Sequence, residues 1–198
     1  MNSWDIAAIT YGVVAVLTFL PVLIPIIRGV KLHPGGASFD QTPHFSDAAR
    51  KQLNDHYTRI FGTLGFWKQH ATIYKRFHYY CVSWTLVSSW LVPLLGTIGT
   101  DGTQKWLIVA VSSHVALALS FHRGLRVPDL LRAYRLGESE FYDTYRRLLD
   151  RPLTFGKTEE EQLDAYFAAV ADVRKLVRSA EADSMPSIDQ AVDIPKPK

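Results

Sequence analysis

Cysteine is almost absent from this chain: Cys81 is the single one among 198 residues. One thiol excludes an intramolecular disulfide and a metal site built from several cysteines. The chain also lacks a dense tract of Lys or Arg, and its formal net charge of +3 is modest. Nucleic-acid-binding proteins usually carry a concentrated basic patch. We therefore expect no nucleic-acid partner. The single cysteine does not indicate whether the soluble parts of the protein lie in a reducing or an oxidising compartment.

Motifs of catalysis and of cofactor binding are also missing. The Pro-Gly-Gly at 34–36 lacks the Lys and the Ser or Thr that complete a phosphate-binding loop, and no His-Glu-x-x-His zinc motif occurs. The three glutamates at 159–161 are interpreted as the charged start of a helix. Four histidines share no ligand spacing and are interpreted as surface or turn residues: His33, His44, His56 and His70. The sequence predicts no enzyme, no cofactor and no metal site.

Charge is missing from three long stretches, and this absence indicates the class of protein. No Asp, Glu, Lys or Arg occurs at 6–27, 77–100 or 106–122. A helix of about 20 apolar residues crosses the ~30 Å hydrocarbon core of a bilayer. The third stretch is shorter, about 25 Å as a helix, but Lys105 and Arg123 can reach from its ends to the lipid headgroups.

Residues 77–121 are accordingly predicted to form a hairpin of two membrane-spanning helices joined by a tight turn. Tyr79, Tyr80 and Trp106 lie where the aromatic belt of a membrane protein would anchor such a hairpin. A buried helical hairpin in a soluble protein is the alternative. Buried helices of soluble proteins are usually shorter and carry a polar edge, which favours the membrane interpretation.

Residues 1–30 are predicted to hold a third span that serves as an N-terminal anchor. A signal peptide is the alternative, but signal peptides begin with positive charge and have a shorter apolar core. Here the head contains Asp5 and no Lys or Arg, and the uncharged run is long. Pro21 and Pro25 lie in the last turns of this span, where we expect a bend or an early end of the helix.

Residues 31–76 are predicted to form a cytosolic loop followed by an amphipathic helix. Ser46 is a suitable N-cap for a helix that begins near Asp47. Apolar residues then recur at steps of three and four on one face: Leu53, Tyr57, Ile60, Phe61, Leu64 and Trp67. Gly62 and Gly65 are expected to weaken this helix and to break it before the next span. The apolar face either lies in the membrane interface or packs on other cytosolic helices.

Residues 122–184 are predicted to form a pair of cytosolic helices. Pro128 suits the first turn of a helix that runs to about residue 149. Thr158 and Glu161 fit a capping box at the start of the second helix. The apolar face of that helix contains Leu163, Phe167, Val170, Val173, Leu176 and Val177. This face packs on a neighbouring helix or forms a short coiled coil. The chain from Glu181 onward, including the tail 185–198, is expected to be disordered.

The distribution of Lys and Arg predicts the orientation in the membrane. The head has none, the segment between the first two spans has eight, the hairpin turn has only Lys105, and the chain after residue 121 has thirteen. Excess Lys and Arg marks the cytoplasmic side of a membrane. A multi-pass membrane protein is therefore predicted, with its N-terminus outside and its C-terminus in the cytoplasm.

The order of these features resembles a known family. Lys75-Arg76-Phe77 precedes the uncharged hairpin, Pro93-Leu94-Leu95 lies late in its first span, and amphipathic helices follow, with the link 151–157 between them. Over residues 48–184 this pattern is similar to the SLATT-domain family, the SMODS and SLOG-associating two-transmembrane effectors. The resemblance implies a protein of the bacterial inner (plasma) membrane that acts as a pore-forming effector in a bacterial conflict system. The span 6–27 is additional to the family pattern.

A few polar positions inside the hairpin are the candidate functional residues. The candidates for a pore lining or for helix contacts are Thr85, Ser88, His114, Ser112 and Ser120. His114 is an ionisable group near mid-membrane, where such groups usually face the bundle interior or water. Ser112 and Ser120 form, with Ala116, a stripe of small residues that lets another helix approach. These residues either line a weakly polar pore made by several subunits or serve the packing of helices.

The sequence thus predicts an all-α membrane protein with three transmembrane helices, a central hairpin plus an N-terminal span, and with amphipathic cytosolic helices. One protomer has too few helices to enclose a water path, so a pore requires a homo-oligomer in the lipid bilayer. The first functional hypothesis is such an oligomeric pore, gated through the cytosolic helices. The alternative is a non-catalytic membrane anchor or accessory subunit that docks a cytosolic protein partner. An intramembrane enzyme is disfavoured, because a lone histidine without acid, nucleophile or metal does little chemistry.

Overall fold

The fold is all-α throughout the described part of the chain. The computed structural model describes residues 2–32, 38–98 and 102–184, and these residues form five α-helices and no β-strand. The helices are α1 (Ser3–Arg28), α2 (Asp47–Ile98), α3 (Thr103–Gly124), α4 (Val127–Asp150) and α5 (Glu159–Asp183). Short 3-10 turns lie at Phe39–Gln41 and Pro152–Thr154. The predicted all-α class is confirmed.

Three helices, α1, α2 and α3, are long and apolar enough to cross a membrane. Large apolar side chains on them are exposed, among them Ile27, Trp90 and Trp106, which are 81%, 82% and 71% exposed. An apolar surface of this extent is normally covered by lipid or by another protein. The three helices are consistent with a membrane protein and match the three spans predicted from the sequence.

Two expected interruptions of helices are wrong. α2 runs without a break through Gly62 and Gly65, so the amphipathic helix and the first span of the hairpin are one helix of 52 residues. A glycine inside a helix costs only about 1 kcal/mol relative to alanine, which the burial of Leu64 and its neighbours offsets. α1 likewise continues past Pro21 and Pro25 to Arg28, so the expected early end is wrong, while the alternative, a bend at these prolines, stays a prediction.

The chain divides into two compact units, which we describe separately. The first, the apolar unit, contains Met1–Arg28 and Ile73–Pro128, and thus α1, the second part of α2, and α3. Its buried cluster is formed by Leu95, Leu107 and Val111, against which Trp4 and Tyr11 of α1 pack. The N-terminal helix α1 is therefore part of this unit.

The second, the amphipathic unit, contains Gly29–Thr72 and Asp129–Asp183, and thus the first part of α2, α4 and α5. Its fully buried side chains include Leu53, Leu64, Phe141, Leu148, Tyr166, Val170 and Val177. Most of the predicted apolar face of α2 packs in this core, which agrees with the alternative that this face packs on other helices rather than lying in the membrane interface. Phe61 and Leu176, assigned to apolar faces, are instead exposed at 45% and 46%.

Phe39 and Tyr166 are core residues of the amphipathic unit that the sequence patterns missed. Phe39 belongs to the region predicted as a loop, yet its ring is buried and lies 4.6 Å from the ring of Tyr145 between centroids. Tyr166 of α5 is also fully buried, and its ring centroid lies 6.1 Å from that of Phe39. Phe39 lies outside any periodic stripe, so its sequence position gives no signal for burial. Tyr166, three positions after Leu163 and four before Val170, fits the spacing of the apolar face of α5 but was not assigned to it.

Both predicted helix starts in the amphipathic unit are confirmed. The backbone N–H of Ala49 donates to Ser46 Oγ at 3.3 Å, so Ser46 caps α2. Thr158 and Glu161 form the capping box: the Glu161 N–H donates to Thr158 Oγ1 at 3.3 Å, and the Thr158 N–H donates to Glu161 Oε2 at 3.2 Å. α5 extends to Asp183, so disorder from Glu181 onward is wrong for 181–183. The tail 185–198 and the Pro-Gly-Gly at 34–36 lie outside the described residues.

Glu159 connects the starts of α2 and α5, and this contact predicts a pH-dependent stability. Its carboxylate accepts hydrogen bonds from the backbone N–H and the hydroxyl of Ser46, each at 2.7 Å. These bonds hold the pKa of Glu159 below its usual value. The ionised carboxylate therefore stabilises the folded state above the unfolded-state pKa, and this contribution disappears as pH falls through the folded-state pKa.

We expect Glu159→Gln to lower the free energy of unfolding at neutral pH, and its difference from the wild type to shrink below about pH 4. Chemical denaturation of both proteins across pH measures this difference. Glu160→Gln, at the exposed neighbouring position, is the control and should leave the pH profile unchanged. A loss of stability from Glu159→Gln that is equal at every pH would contradict the assignment.

Candidate functional site

His114 lies where α3 meets α1 and α2 in the apolar unit. Its Nδ1 atom is 2.6 Å from the hydroxyl of Tyr11 in α1, and its Nε2 atom is 2.7 Å from the hydroxyl of Tyr80 in α2. A neutral imidazole has one donor and one acceptor nitrogen. One tyrosine can therefore accept a hydrogen bond from His114 while the other donates to it. Both ring nitrogens are satisfied within a single protomer.

Trp84 of α2 and Thr18 of α1 form a further contact beside His114. The indole N–H of Trp84 donates to Thr18 Oγ1 at 3.0 Å. The Trp84 ring also meets the rings of Tyr11 and His114 edge-on, with centroids 5.2 Å and 5.3 Å apart. We refer to Tyr11, Thr18, Tyr80, Trp84 and His114 as the aromatic–histidine cluster. Polar groups in apolar surroundings are costly unless they are paired, and here they pair with one another across three helices.

Arg76 forms a second polar contact between α2 and α1. Pro25 has no N–H, so the carbonyl of Pro21, four residues earlier, lacks its helical hydrogen-bond partner. The guanidinium of Arg76 donates to this carbonyl through Nη1 at 2.6 Å. Both features are visible in the sequence: a proline lies inside the first span, and an arginine lies at the start of the next span. Their pairing required the tertiary structure.

Polar contacts also occur near the hairpin turn and at the end of α3. Thr103 donates through Oγ1 to Asp5 at 3.2 Å, which connects the start of α3 to the start of α1. Gln104 donates to the carbonyl of Leu95 at 2.8 Å and so satisfies one of the free carbonyls in the last turn of α2. His78 Nδ1 of α2 and His122 Nε2 of α3 are 2.8 Å apart. Hydrogen bonds therefore join all three helices of this unit.

The other predicted site residues lie in different surroundings. Thr85 donates to the carbonyl of Cys81 at 2.7 Å within α2. Ser88 is buried, and its hydroxyl has no hydrogen-bond partner among the described residues. Ser112 and Ser120 lie on the exposed face of α3, where the hydroxyl of Ser120 donates to the carbonyl of Ala116 at 2.8 Å. The structure thus separates His114, at a helix contact, from the exposed serine stripe. A role in lining a pore stays a prediction for all five residues.

An apolar groove of about 440 Å³ runs along the apolar unit beside His114. Its lining includes Phe19, Leu23, Phe77, Tyr80, His114 and Phe121. Apart from Tyr80 and His114 these side chains carry no polar atom, and the hydroxyl of Tyr80 and both ring nitrogens of His114 are hydrogen-bonded within the aromatic–histidine cluster. The groove suits an acyl chain or an apolar side chain rather than a reacting polar substrate.

Several tyrosines of the amphipathic unit are buried. The hydroxyls of Tyr57, Tyr142 and Tyr166 are buried without a hydrogen-bond partner among the described residues. Burial raises the pKa of Tyr142 to about 12 and that of Tyr145 to about 12. These phenols stay protonated at neutral pH and are unsuited to act as bases. Within the described ranges, no group of three His, Cys, Asp or Glu side chains is placed to hold a metal ion.

Sequence reasoning identified His114 but missed the residues that surround it. Tyr80 was assigned to the aromatic belt, and Tyr11 and Thr18 carried no signal beyond their place in an uncharged span. No model of a known protein family, no curated protein and no solved structure matches this chain. The resemblance to the SLATT-domain family therefore stays a prediction, and function has to be argued from the geometry.

Proposed function

We propose that this protein crosses the bacterial inner membrane three times, with its N-terminus outside and its C-terminus in the cytoplasm, and that its copies assemble into an oligomeric pore. The observation that carries the proposal is the exposed stripe of Ser112, Ala116 and Ser120 on α3. Small residues at this spacing allow two membrane helices to approach closely. Side-chain hydroxyls on a surface otherwise suited to lipid favour contact with another protein copy or with water.

The hydrogen bonds inside one protomer support a water path that lies between protomers rather than within one. His114, Tyr11 and Tyr80 satisfy one another, so their polar atoms are engaged in holding helices together. A water path then needs polar groups contributed by several copies, and the stripe on α3 supplies hydroxyls for it. In this arrangement α1 is a retained structural helix, held to α2 by Arg76 and to α3 by His114.

The first experiment is the oligomeric mass of the full-length protein in native nanodiscs. A uniform closed assembly of about four or more copies is expected, because a ring of fewer three-helix protomers leaves no room for a central water path. Ion flux from liposomes then tests conduction. A monomer or dimer at high protein concentration in lipid would overturn the pore.

Cysteine cross-linking tests the proposed interface on α3. The chain offers a clean background, because Cys81→Ser removes its single cysteine. In that background Ser120→Cys is expected to form disulfide-linked dimers on mild oxidation, since α3 stripes of neighbouring copies face each other. Val16→Cys, on the exposed surface of α1, is the matched control and should form no disulfide link between copies. Equal cross-linking at both positions would indicate random collision rather than an interface.

The second candidate is a non-catalytic anchor that docks a cytosolic protein. The observation that favours it is exposed apolar surface on the amphipathic unit, where Leu153 is 72% exposed and Phe66 is 45% exposed. Nanodiscs carrying the full chain would then retain one protein in fixed stoichiometry, and Leu153→Ser would release it. An anchor does not require an assembly of four or more copies, so the mass measurement distinguishes the anchor from the pore.

A further inference from the structure

A cationic groove lies between α2 and α5 of the amphipathic unit. Its volume is about 360 Å³, and its lining contains His56, Arg59 and Ile60 of α2 and Arg174 of α5. Arg174 also lines an adjoining groove together with Arg178 and Glu181. Residues three or four positions apart share one face of a helix. The spacing 56–59 on α2 therefore directs His56 and Arg59 toward the groove that Arg174 lines from α5, and Arg178 lies one turn further along α5 in the adjoining groove.

The positive charge of this groove is largely uncompensated. Neither Arg59 nor Arg174 takes part in the ion pairs that the structure describes, which include those of Arg50, Lys68, Arg135 and Arg146. Arg59 donates through Nε only to the backbone carbonyl of Asp55, at 3.3 Å. Glu181 is the acidic residue that lines the adjoining groove beside Arg174 and Arg178. Like charges held together at a protein surface repel one another, and a bound anion would relieve that repulsion.

His56 supplies an independent observation at the same place. Its ring lies 4.7 Å from the ring of Phe167 and 5.8 Å from that of Tyr166 between centroids, which holds it at the groove. Its Nδ1 atom is buried and has no hydrogen-bond partner among the described residues. Burial, together with the charges of Arg59 and Arg174, lowers the pKa of His56. An anion in the groove would offset the positive charges of Arg59 and Arg174 beside the imidazole.

We propose that the groove between α2 and α5 binds a phosphate group, held by the guanidinium groups of Arg59 and Arg174 and by the imidazole of His56. Two planar guanidinium groups and one imidazole offer more N–H donors than a carboxylate, with only two oxygens, can pair with, so a carboxylate is a poorer match for this groove. A terminal phosphate has three acceptor oxygens and matches the fork of an arginine. The phosphate belongs either to a water-soluble compound or to the headgroup of an anionic phospholipid. The proposal does not depend on the proposed pore.

Calorimetric titration of the full-length protein with inorganic phosphate, in a neutral detergent at low salt, tests the site. Saturable binding is expected, and Arg174→Gln should weaken it at least about tenfold, because a charge-assisted bidentate contact is lost. Arg132→Gln removes the same charge from an exposed position on α4 and should change the affinity less than about twofold. Absence of saturable binding, or an equal loss in both variants, would overturn the proposal.

A second readout reports on His56 itself. Phosphate should raise the pKa of His56, followed by NMR of its ring protons, because the bound anion favours the imidazolium form. In Arg174→Gln the same phosphate concentration should produce a much smaller rise. An unchanged pKa of His56 at saturating phosphate would remove this residue, and with it the proposed geometry, from the site.

Nanodiscs of two compositions distinguish the sources of the phosphate group. Inorganic phosphate is titrated into the protein in phosphatidylcholine alone and in phosphatidylcholine mixed with phosphatidic acid. If the groove receives a lipid headgroup, phosphatidic acid should abolish the calorimetric signal of added phosphate. If the natural ligand is soluble, the affinity should be the same in both membranes. A signal absent from both would overturn the proposal, whatever the oligomeric mass of the protein.

Discussion

Gly137→Ala is expected to lower the free energy of unfolding of the amphipathic unit by roughly 1–3 kcal/mol, the range for overpacking a core. A Cβ atom at Gly137 would lie 2.4 Å from Cγ2 of Val177 and 3.3 Å from the ring of Trp67. Val177 is fully buried and β-branched, so it has little freedom to rotate away. α2, α4 and α5 approach one another at this point, and only a hydrogen atom fits between them.

Gly62→Ala is the matched control, because Gly62 also lies inside a helix but a Cβ atom there meets nothing within 4 Å. Alanine is favoured over glycine in a helix by about 1 kcal/mol, so this variant should be slightly more stable than the wild type. Denaturant-induced loss of helical circular dichroism in the full-length protein measures both. Val177→Ala should recover part of the loss in the Gly137→Ala background, since the two positions are in contact. Two equally stable glycine variants would show that α4 does not cross its neighbours at Gly137.

His114→Leu is expected to destabilise the apolar unit by about 1–3 kcal/mol. The change removes hydrogen bonds to Tyr11 and Tyr80 and leaves both hydroxyls without that partner. Interhelical hydrogen bonds in membranes contribute about 0.6 kcal/mol on average and up to about 1.7 kcal/mol, and an unsatisfied buried group adds to the loss. Thermal unfolding of the protein in a neutral detergent measures the change.

Adjacent tyrosines provide the control for this second prediction. Tyr80→Phe removes one hydroxyl from the aromatic–histidine cluster and should reproduce part of the loss. Tyr79→Phe makes the same chemical change on a side chain that is 59% exposed, and it should leave the stability unchanged.

Flux measurements distinguish two roles of His114, lining a water path and joining helices. A residue that lines the path would alter the pH dependence between about pH 5 and 8, whereas one that only joins helices would not.

Features encoded by near neighbours could be predicted from the sequence. The three uncharged stretches marked α1, α3 and the second part of α2, because length and apolarity alone identify a span. Ser46 and the pair Thr158 and Glu161 marked the starts of α2 and α5, because a cap involves residues within three positions of one another. The expected break at Gly62 and Gly65 failed, because a weak local preference was outweighed by burial in the core.

The candidate sites depend on contacts between residues far apart in the chain. Tyr11 and His114 are separated by 103 positions, and Arg76 and Pro21 by 55. No periodicity or motif links such residues, because their distance in space is set by the packing of whole helices. The same holds for Arg59 and Arg174, which become neighbours only when α2 and α5 pack. The sequence by itself therefore determined which segments are helical and apolar, since that information is local. Only the tertiary structure decided which polar groups pair across helices and which cations line the same groove.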